Sequence, residues 1–232
     1  MKFSHLHVHT QYSVLDGASK IAPLISKAKE LNMKALAITD HGNMFGALEF
    51  YFEALKQNIK PIIGCEMYVA EGSRFDKKGR ADRSGFHLIL LAKNMTGYQN
   101  LIKLCSLAFK KEHFYYTPRI DKELLRQYSE GLIASSACLG GEIPYYILNG
   151  GYEQAAKVVE EYLEIFGEDF YLEFQNHHLE EQAKVNKVLL QLADEYNIKC
   201  IATNDVHFIN AEDAEPHHVL ICLNTNRDYN DS

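Results

Sequence analysis

Between Phe3 and His9 the chain reads Phe-Ser-His-Leu-His-Val-His, an imidazole at every second position. An extended segment alternates its side chains between two faces, so His5, His7 and His9 are expected on one side and Leu6 and Val8 on the other. Three imidazoles on one face make a poor apolar core, but neutral imidazole is a good ligand for zinc, manganese or iron. Further donors recur downstream. Asp16 sits in a Leu-Asp-Gly turn, Asp40 and His41 lie in Thr-Asp-His-Gly, Glu66 follows Gly64-Cys65, and His87 opens an apolar stretch. Cys138 follows Ser-Ser-Ala, and Asp205 and His207 share Asn-Asp-Val-His. Taken singly, each has an ordinary explanation as a turn, a helix cap, a strand-edge carboxylate, a core histidine or a small buried thiol. Their recurrence at the ends of apolar runs points instead to a shared metal site, as does the twice-used i, i+2 spacing that puts two donors on one side.

The chemistry of such a site follows from its donors. Metals bridged by a carboxylate lower the pKa of bound water, engage phosphate oxygens and stabilise a leaving alkoxide. A mixed His, Asp, Glu and Cys set suits zinc, manganese or iron better than a lone magnesium. Thiolate favours zinc and the oxygen ligands favour manganese.

The elements that must position these residues alternate in type. After the opening strand at 3–9, helical spacing at 21–32 leads to an apolar strand at 34–38. A helix at 45–57 carries Phe45, Leu48, Phe52 and Leu55 on one face. A strand region at 61–70, a charged loop at 71–85 and a strong strand at 86–92 follow. Then come helices at 97–111 and 121–128, a strand at 131–135, a helix at 152–166, a strand at 170–173, a helix at 179–196, a strand at 199–203 and a last helix at 211–223. Short strands alternating with amphipathic helices imply a parallel sheet, and about seven such units favour a closed or nearly closed βα barrel. In βα barrels the working face lies at the carboxyl ends of the strands, where most of the donors would meet; His87, at the start of its strand, fits that rule less well. No glycine-rich phosphate loop follows the first strand.

The totals bound the reading. With 232 residues, 47% hydrophobic and 24% charged, the chain has the composition of an ordinary globular domain with one sizeable core. Five widely spaced cysteines without a CxxC pair make a disulfide framework an unlikely expectation. No apolar run approaches a membrane span and the start lacks a signal-peptide core, so a cytoplasmic protein with no membrane partner is expected. A formal charge of −7 argues against gripping nucleic acid by a basic surface, yet bound divalent cations would reverse the sign locally. The basic run at 74–83 is balanced by Asp76 and Asp82 and reads as a solvated loop, and residues 224–232 as a polar tail.

His-Leu-His-Val-His-Thr with Leu15-Asp16-Gly17, Thr39-Asp40-His41-Gly42, Gly64-Cys65-Glu66, His87-Leu88, Cys138-Leu139 and Asn204-Asp205-Val206-His207 together resemble the PHP (polymerase and histidinol phosphatase) superfamily. More narrowly they resemble its polymerase branch, the amino-terminal domain of bacterial replicative polymerase alpha subunits. Thr117-Pro-Arg-Ile-Asp121 and Gln175-Asn-His add to the likeness, which runs from Phe3 to about Leu223. The resemblance implies a distorted seven-stranded (βα)7 TIM-like barrel over 1–223 with up to three divalent metal ions. His7, His9, Glu66 and Asp205 would hold one. Glu66, His87 and Cys138 would hold a second, with Glu66 bridging, and Asp16, His41 and His207 the third. It implies phosphodiester hydrolysis, foremost a 3′–5′ proofreading exonuclease on single-stranded or mismatched DNA, with Asp16 and Asp205 catalytic. Partners would be DNA, the remaining polymerase domains and other replisome subunits. Nucleotidyl transfer would belong to residues beyond Ser232. The alternatives are a non-catalytic metal-stabilised scaffold and a free-standing phosphatase on a small phosphomonoester. His5, where the small-molecule branch usually has Asp, favours the polymerase branch and is expected to be structural. Arg119 is a candidate for a substrate phosphate, since guanidinium matches phosphate geometry.

Overall fold

A computed structural model describes residues 3–79 and 84–230; residues 80–83 of the basic run and the last two of the polar tail lie outside them. The first helix, α1 (Ile21–Glu30), buries Ile21, Leu24, Ile25 and Ala28 and ends where Asn32 turns left-handed at φ 58°. Strand β1 (Ala35–Ile38) follows, then α2 (Ala47–Lys56), β2 (Lys60–Val69) and β3 (Phe86–Ala92). Asn94 caps α3 (Met95–Ala108) by accepting from Gly97 N, and Asp121 caps α4 (Lys122–Tyr128) by accepting from Leu124 N. Two further elements, β4 (Arg119–Ile120) and α5 (Glu142–Asn149), join those expected from the sequence. The remainder is β5 (Leu132–Ser135), α6 (Tyr152–Phe166), β6 (Phe170–Phe174), α7 (Glu180–Tyr196), β7 (Cys200–Ala202) and α8 (Ala214–Thr225).

The sheet runs β1-β2-β3-β5-β6-β7, with β4 against β2. It is not wholly parallel: β3 is antiparallel to both β2 and β5. Among the described residues between Val69 and Phe86 there is no crossover helix, which a parallel neighbour needs. Reversing β3 brings its first residues to the carboxyl ends of the neighbouring strands, with His87 opposite Tyr68. That explains the histidine that a uniform parallel sheet left out of place.

The opening segment is not a regular strand either. Its backbone is wedged between β1 and the stretch after β7: Ala37 N donates to His5 O, Thr39 N to Val8 O, and His9 N to Val206 O. Val8 N donates to the Thr39 hydroxyl instead of to a carbonyl, so only an isolated bridge, Val8 with Val206, forms. This wedge joins the two ends of the curled sheet and makes the molecule a distorted βα barrel.

One core lies between β2, β3, β5, β6 and the helices α3 to α7; a second packs α1, β1 and α2 around Val8. On α2 the side turned to the sheet is Ala47, Phe50 and Ala54, whose small alanines allow close approach. The larger face named by its spacing (Phe45, Leu48, Phe52 and Leu55) is exposed. All five cysteines are free; Cys65, Cys105 and Cys222 are buried. Among the described residues no helix is long and apolar enough to cross a membrane.

Candidate metal centre

The wedge carries His7 and His9, both fully buried. The Nδ1 of His7 meets a carboxylate oxygen of Glu173 at 2.7 Å, and the Nδ1 of His9 meets the Ser13 hydroxyl at 3.0 Å. With their outer nitrogens engaged, both rings turn Nε2 inward, and the two Nε2 atoms lie 3.1 Å apart. Asp205 Oδ1 lies 3.1 Å from one and 3.2 Å from the other, and Glu66 Oε1 is 3.3 Å from His7 Nε2. A tetrahedral site with bonds of about 2.0–2.1 Å has donor–donor edges of about 3.3 Å, so these spacings fit a shared cation.

Glu66, at the strand position beside the β2–β3 pairing, faces two ways. Its Oε1 lies 2.9 Å from His87 Nδ1 and 3.9 Å from Cys138 Sγ, which is itself 3.4 Å from His87 Nδ1. Its Oε2 contacts His41 Nδ1 and lies 3.8 Å from His9 Nε2. His41 Nε2 is 2.9 Å from Asp16 Oδ2, and His207 Nε2 is 3.8 Å from Asp16 Oδ1. His207 is held by its Nδ1 donating to Asp205 O. Three donor sets therefore have ligand atoms within 4.8 Å of one another: His7, His9 and Glu66; Glu66, His87 and Cys138; His9, His41 and His207. In the last set His9 stands where the resemblance implied Asp16, which contacts His41 and approaches His207.

The local backbone serves these positions. Leu15 before Asp16, Ala137 before Cys138 and Asp205 itself are left-handed at φ 73°, 58° and 49°, conformations that cost on the order of 1–3 kcal/mol each. Gly42, after His41, has φ 61°, and a Cβ there would come within 2.6 Å of Pro118.

Two carboxylates outside the ligand set that the resemblance implied orient the imidazoles. Glu173 is buried and also takes bonds from the Ser135 and Thr203 hydroxyls and, at 3.1 Å, from Gln175. Asp40 accepts from Thr10 N, the Thr10 hydroxyl and the Ser13 hydroxyl, which links it to His9 through Ser13. Glu173 is the penultimate residue of β6, so the rule applied to the other strand ends would have found it.

Electrostatically the cluster leans on protons. Burial opposes the Glu66 charge, but His87 and His41 outweigh it and hold the carboxyl well below the usual range. Asp205 is likewise held low against burial by His7 and His9. Burial lowers His41 too, yet Glu66 and Asp16 raise it to about 9, while burial depresses His9 to about 4. Four donor atoms, Asp16 Oδ1, His41 Nδ1, Glu66 Oε2 and Asp205 Oδ1, are buried in ionic contact with their neighbours but without a well-directed hydrogen bond. Atoms left in this way cost about 1–3 kcal/mol each, which a bound cation would relieve. The residues present fit divalent metal.

Other candidates lie elsewhere. His5 is set apart against Phe3 and α1, its pKa lowered by burial. Arg119 is 1% exposed; its guanidinium donates to the carbonyls of Arg74 and Asp76 and lies over Tyr115. Arg74 is not solvated as read from sequence: it bonds Asp121, Glu123 and His113. His177 bridges Asn204 O and Gln182 at the mouth, and His217 faces His207 at 5.7 Å between rings.

The comparisons with known proteins agree with this architecture. The chain is 51% identical, over 97% of its length, to the DNA polymerase III subunit alpha of Borreliella burgdorferi. It is 52% identical, over 96%, to that of Thermus aquaticus. It spans only about a fifth of these relatives, 20% and 18% of their lengths. An amidohydrolase structure from Chromobacterium violaceum, solved with bound sulfate and no metal, shares the fold at TM-score 0.57 and 17% identity, covering 90% of this chain and 89% of that one. The PHP domain family matches residues 5–177, three-quarters of the sequence, and the chain belongs to that family.

Proposed function

We propose that this domain is a metal-dependent phosphodiesterase within a bacterial replicative polymerase polypeptide, acting as a 3′–5′ exonuclease on single-stranded or mismatched DNA ends. The observation that carries the reading is the convergence of inward-turned Nε2 atoms and buried carboxylate oxygens around Glu66. We assign His7, His9, Glu66 and Asp205 to one ion, Glu66, His87 and Cys138 to a second, and Asp16, His41 and His207 to a third, with zinc, manganese or iron as the candidates. When bound, such ions supply an acidified water and neutralise phosphate charge.

The chain's own groups do the rest. Glu173 and the Asp40–Ser13 pair fix the His7 and His9 rings, so the inner donors need no reorientation. Asp16 and Asp205, with side chains 19% and 18% exposed, are the carboxylates that a phosphodiester entering the site meets first. Asp16 would be the carboxylate to accept a proton from the attacking water. In the longer protein, DNA, the other polymerase domains and replisome subunits would be the partners, in the cytoplasm. The exposed apolar face of α2 supports an added scaffold role, since such patches mark interaction sites.

The test is digestion of 3′-labelled single-stranded DNA by the manganese- or zinc-loaded protein, beside a panel of phosphomonoesters. Asp16→Asn and Asp205→Asn are expected to lose at least 100-fold in rate while keeping the wild-type circular dichroism spectrum. Nuclease activity that survives both substitutions, or activity confined to phosphomonoesters, overturns the reading.

A further inference from the structure

His87 is a shared wall. Its Nδ1 faces Glu66 and Cys138, while its ring also lines a separate open cleft of about 320 Å3. That volume lies at the small end of the range for organic-ligand sites, roughly 300–1,000 Å3. The histidine sits against Gly140, where a Cβ would come within 2.9 Å of its Nδ1, and its backbone N donates to Gly140 O. Metal centre and cleft are thus joined through one side chain held on a glycine.

The far wall is aromatic. Phe86 and Tyr145 lie with ring centroids 5.1 Å apart, and Tyr145 is 43% exposed. The near rim is backbone and hydroxyl: Gly72, Ser73, Ser84 and Gly85. Among the described lining residues the one fixed positive charge is Arg119, whose guanidinium donates to the Arg74 and Asp76 carbonyls. The acid, Glu71, accepts from the Tyr146 hydroxyl. The described lining therefore offers the exposed ring face of Tyr145 and mainly neutral hydrogen-bonding edges. Stacking on an aromatic face with edge contacts to backbone is how proteins hold an unpaired base of any sequence.

We propose that this cleft is a nucleobase subsite, in which the base of the nucleotide next to the scissile phosphate stacks on Tyr145 while that phosphate lies at the metal centre beyond His87. The inference rests on the phosphodiesterase reading and names its substrate as a base-bearing strand end. Tyr145 acts as a positioning residue: it holds the base and leaves the reacting atoms to the donors around Glu66. Tolerance of all four bases follows, because every base has a π face.

Two measurements on the metal-loaded chain test it. In the first, single-stranded DNA ending in a normal 3′ nucleotide is compared with the same strand ending in an abasic tetrahydrofuran residue. Tyr145→Ala should raise KM for the normal end about tenfold, leave kcat within twofold and not change KM for the abasic end; Tyr145→Phe should behave as wild type. In the second, calorimetry compares thymidine 5′-monophosphate with deoxyribose 5-phosphate. Tyr145→Ala should weaken the nucleotide about tenfold and leave the sugar phosphate unchanged. Equal effects on both members of either pair, or no effect on either, overturn the subsite. If the wild-type protein cleaves no DNA, the phosphodiesterase reading fails, and the calorimetric pair alone decides whether a base is bound in the cleft.

Discussion

The two sides of the donor cluster are built differently. His7, His9 and Glu66 have side chains no more than 1% exposed, and both imidazoles are tied from behind to buried acceptors. His41, Asp16, His207 and His87 are 18–24% exposed, and their contacts run to Glu66, Cys138 and Asp205 as well as to one another. The inner side is oriented before any ion arrives; the outer side stays open to solvent. Structural metal sites are closed and catalytic ones keep an open position, so one cluster here combines a preset floor with an accessible rim. Affinity should depend on the floor and turnover on the rim.

The largest effect is expected from Glu173→Ala. It leaves His7, Ser135, Thr203 and Gln175 without their shared acceptor, and breaking a buried charged pair costs about 3–5 kcal/mol. Chemical denaturation should show that loss, and metal affinity should fall about 10–100-fold, as for other orienting partners. Ser13→Ala should cost less, about 1–2 kcal/mol, because Asp40 keeps its two bonds from Thr10. A Cys138→Ser change at the rim should move stability by under about 1 kcal/mol while shifting metal preference from zinc toward manganese, read by competition titration. A rim substitution that destabilised the fold as much as Glu173→Ala would dissolve the comparison.

Acid and alkali should also separate the groups in the metal-free protein. His9, depressed to about 4, contributes stability that is complete above pH 6.5 and is lost as pH falls towards 4. His41, raised to about 9, contributes stability that is complete below pH 6.5 and is lost as pH rises through 9; His7 and His87, also raised, act in the same sense. Urea midpoints measured from pH 4.5 to 9.5 should therefore fall at both ends, with His9→Gln flattening the acid limb and His41→Gln reducing the alkaline one. Because ligating imidazoles must be neutral, metal binding at pH 7.5 should release protons, visible as a buffer-dependent calorimetric enthalpy.

Much of this was legible in the chain because the donors use short-range spacing. His7 and His9 share a side by the geometry of two residues, and Asp205 and His207 meet across a left-handed Asp205. The position of His87 was not legible from spacing alone, since it depends on the reversal of β3. The charged stretch at 71–85, with no apolar helical spacing, was the available signal. Periodicity found the apolar stripe of α2 but cannot say which side meets the sheet, and the alanine side won by allowing closer approach. Glu173, Ser13 and Asp40 looked ordinary because their work is to hold other side chains, and that appears only when distant segments meet.

Anomalous diffraction from crystals of the zinc-loaded protein, recorded at the zinc edge, tests the central claim most directly. The strongest peak is expected between His7 Nε2, His9 Nε2, Asp205 Oδ1 and Glu66. Peaks confined to surface histidines, with none beside Glu66, would contradict the account.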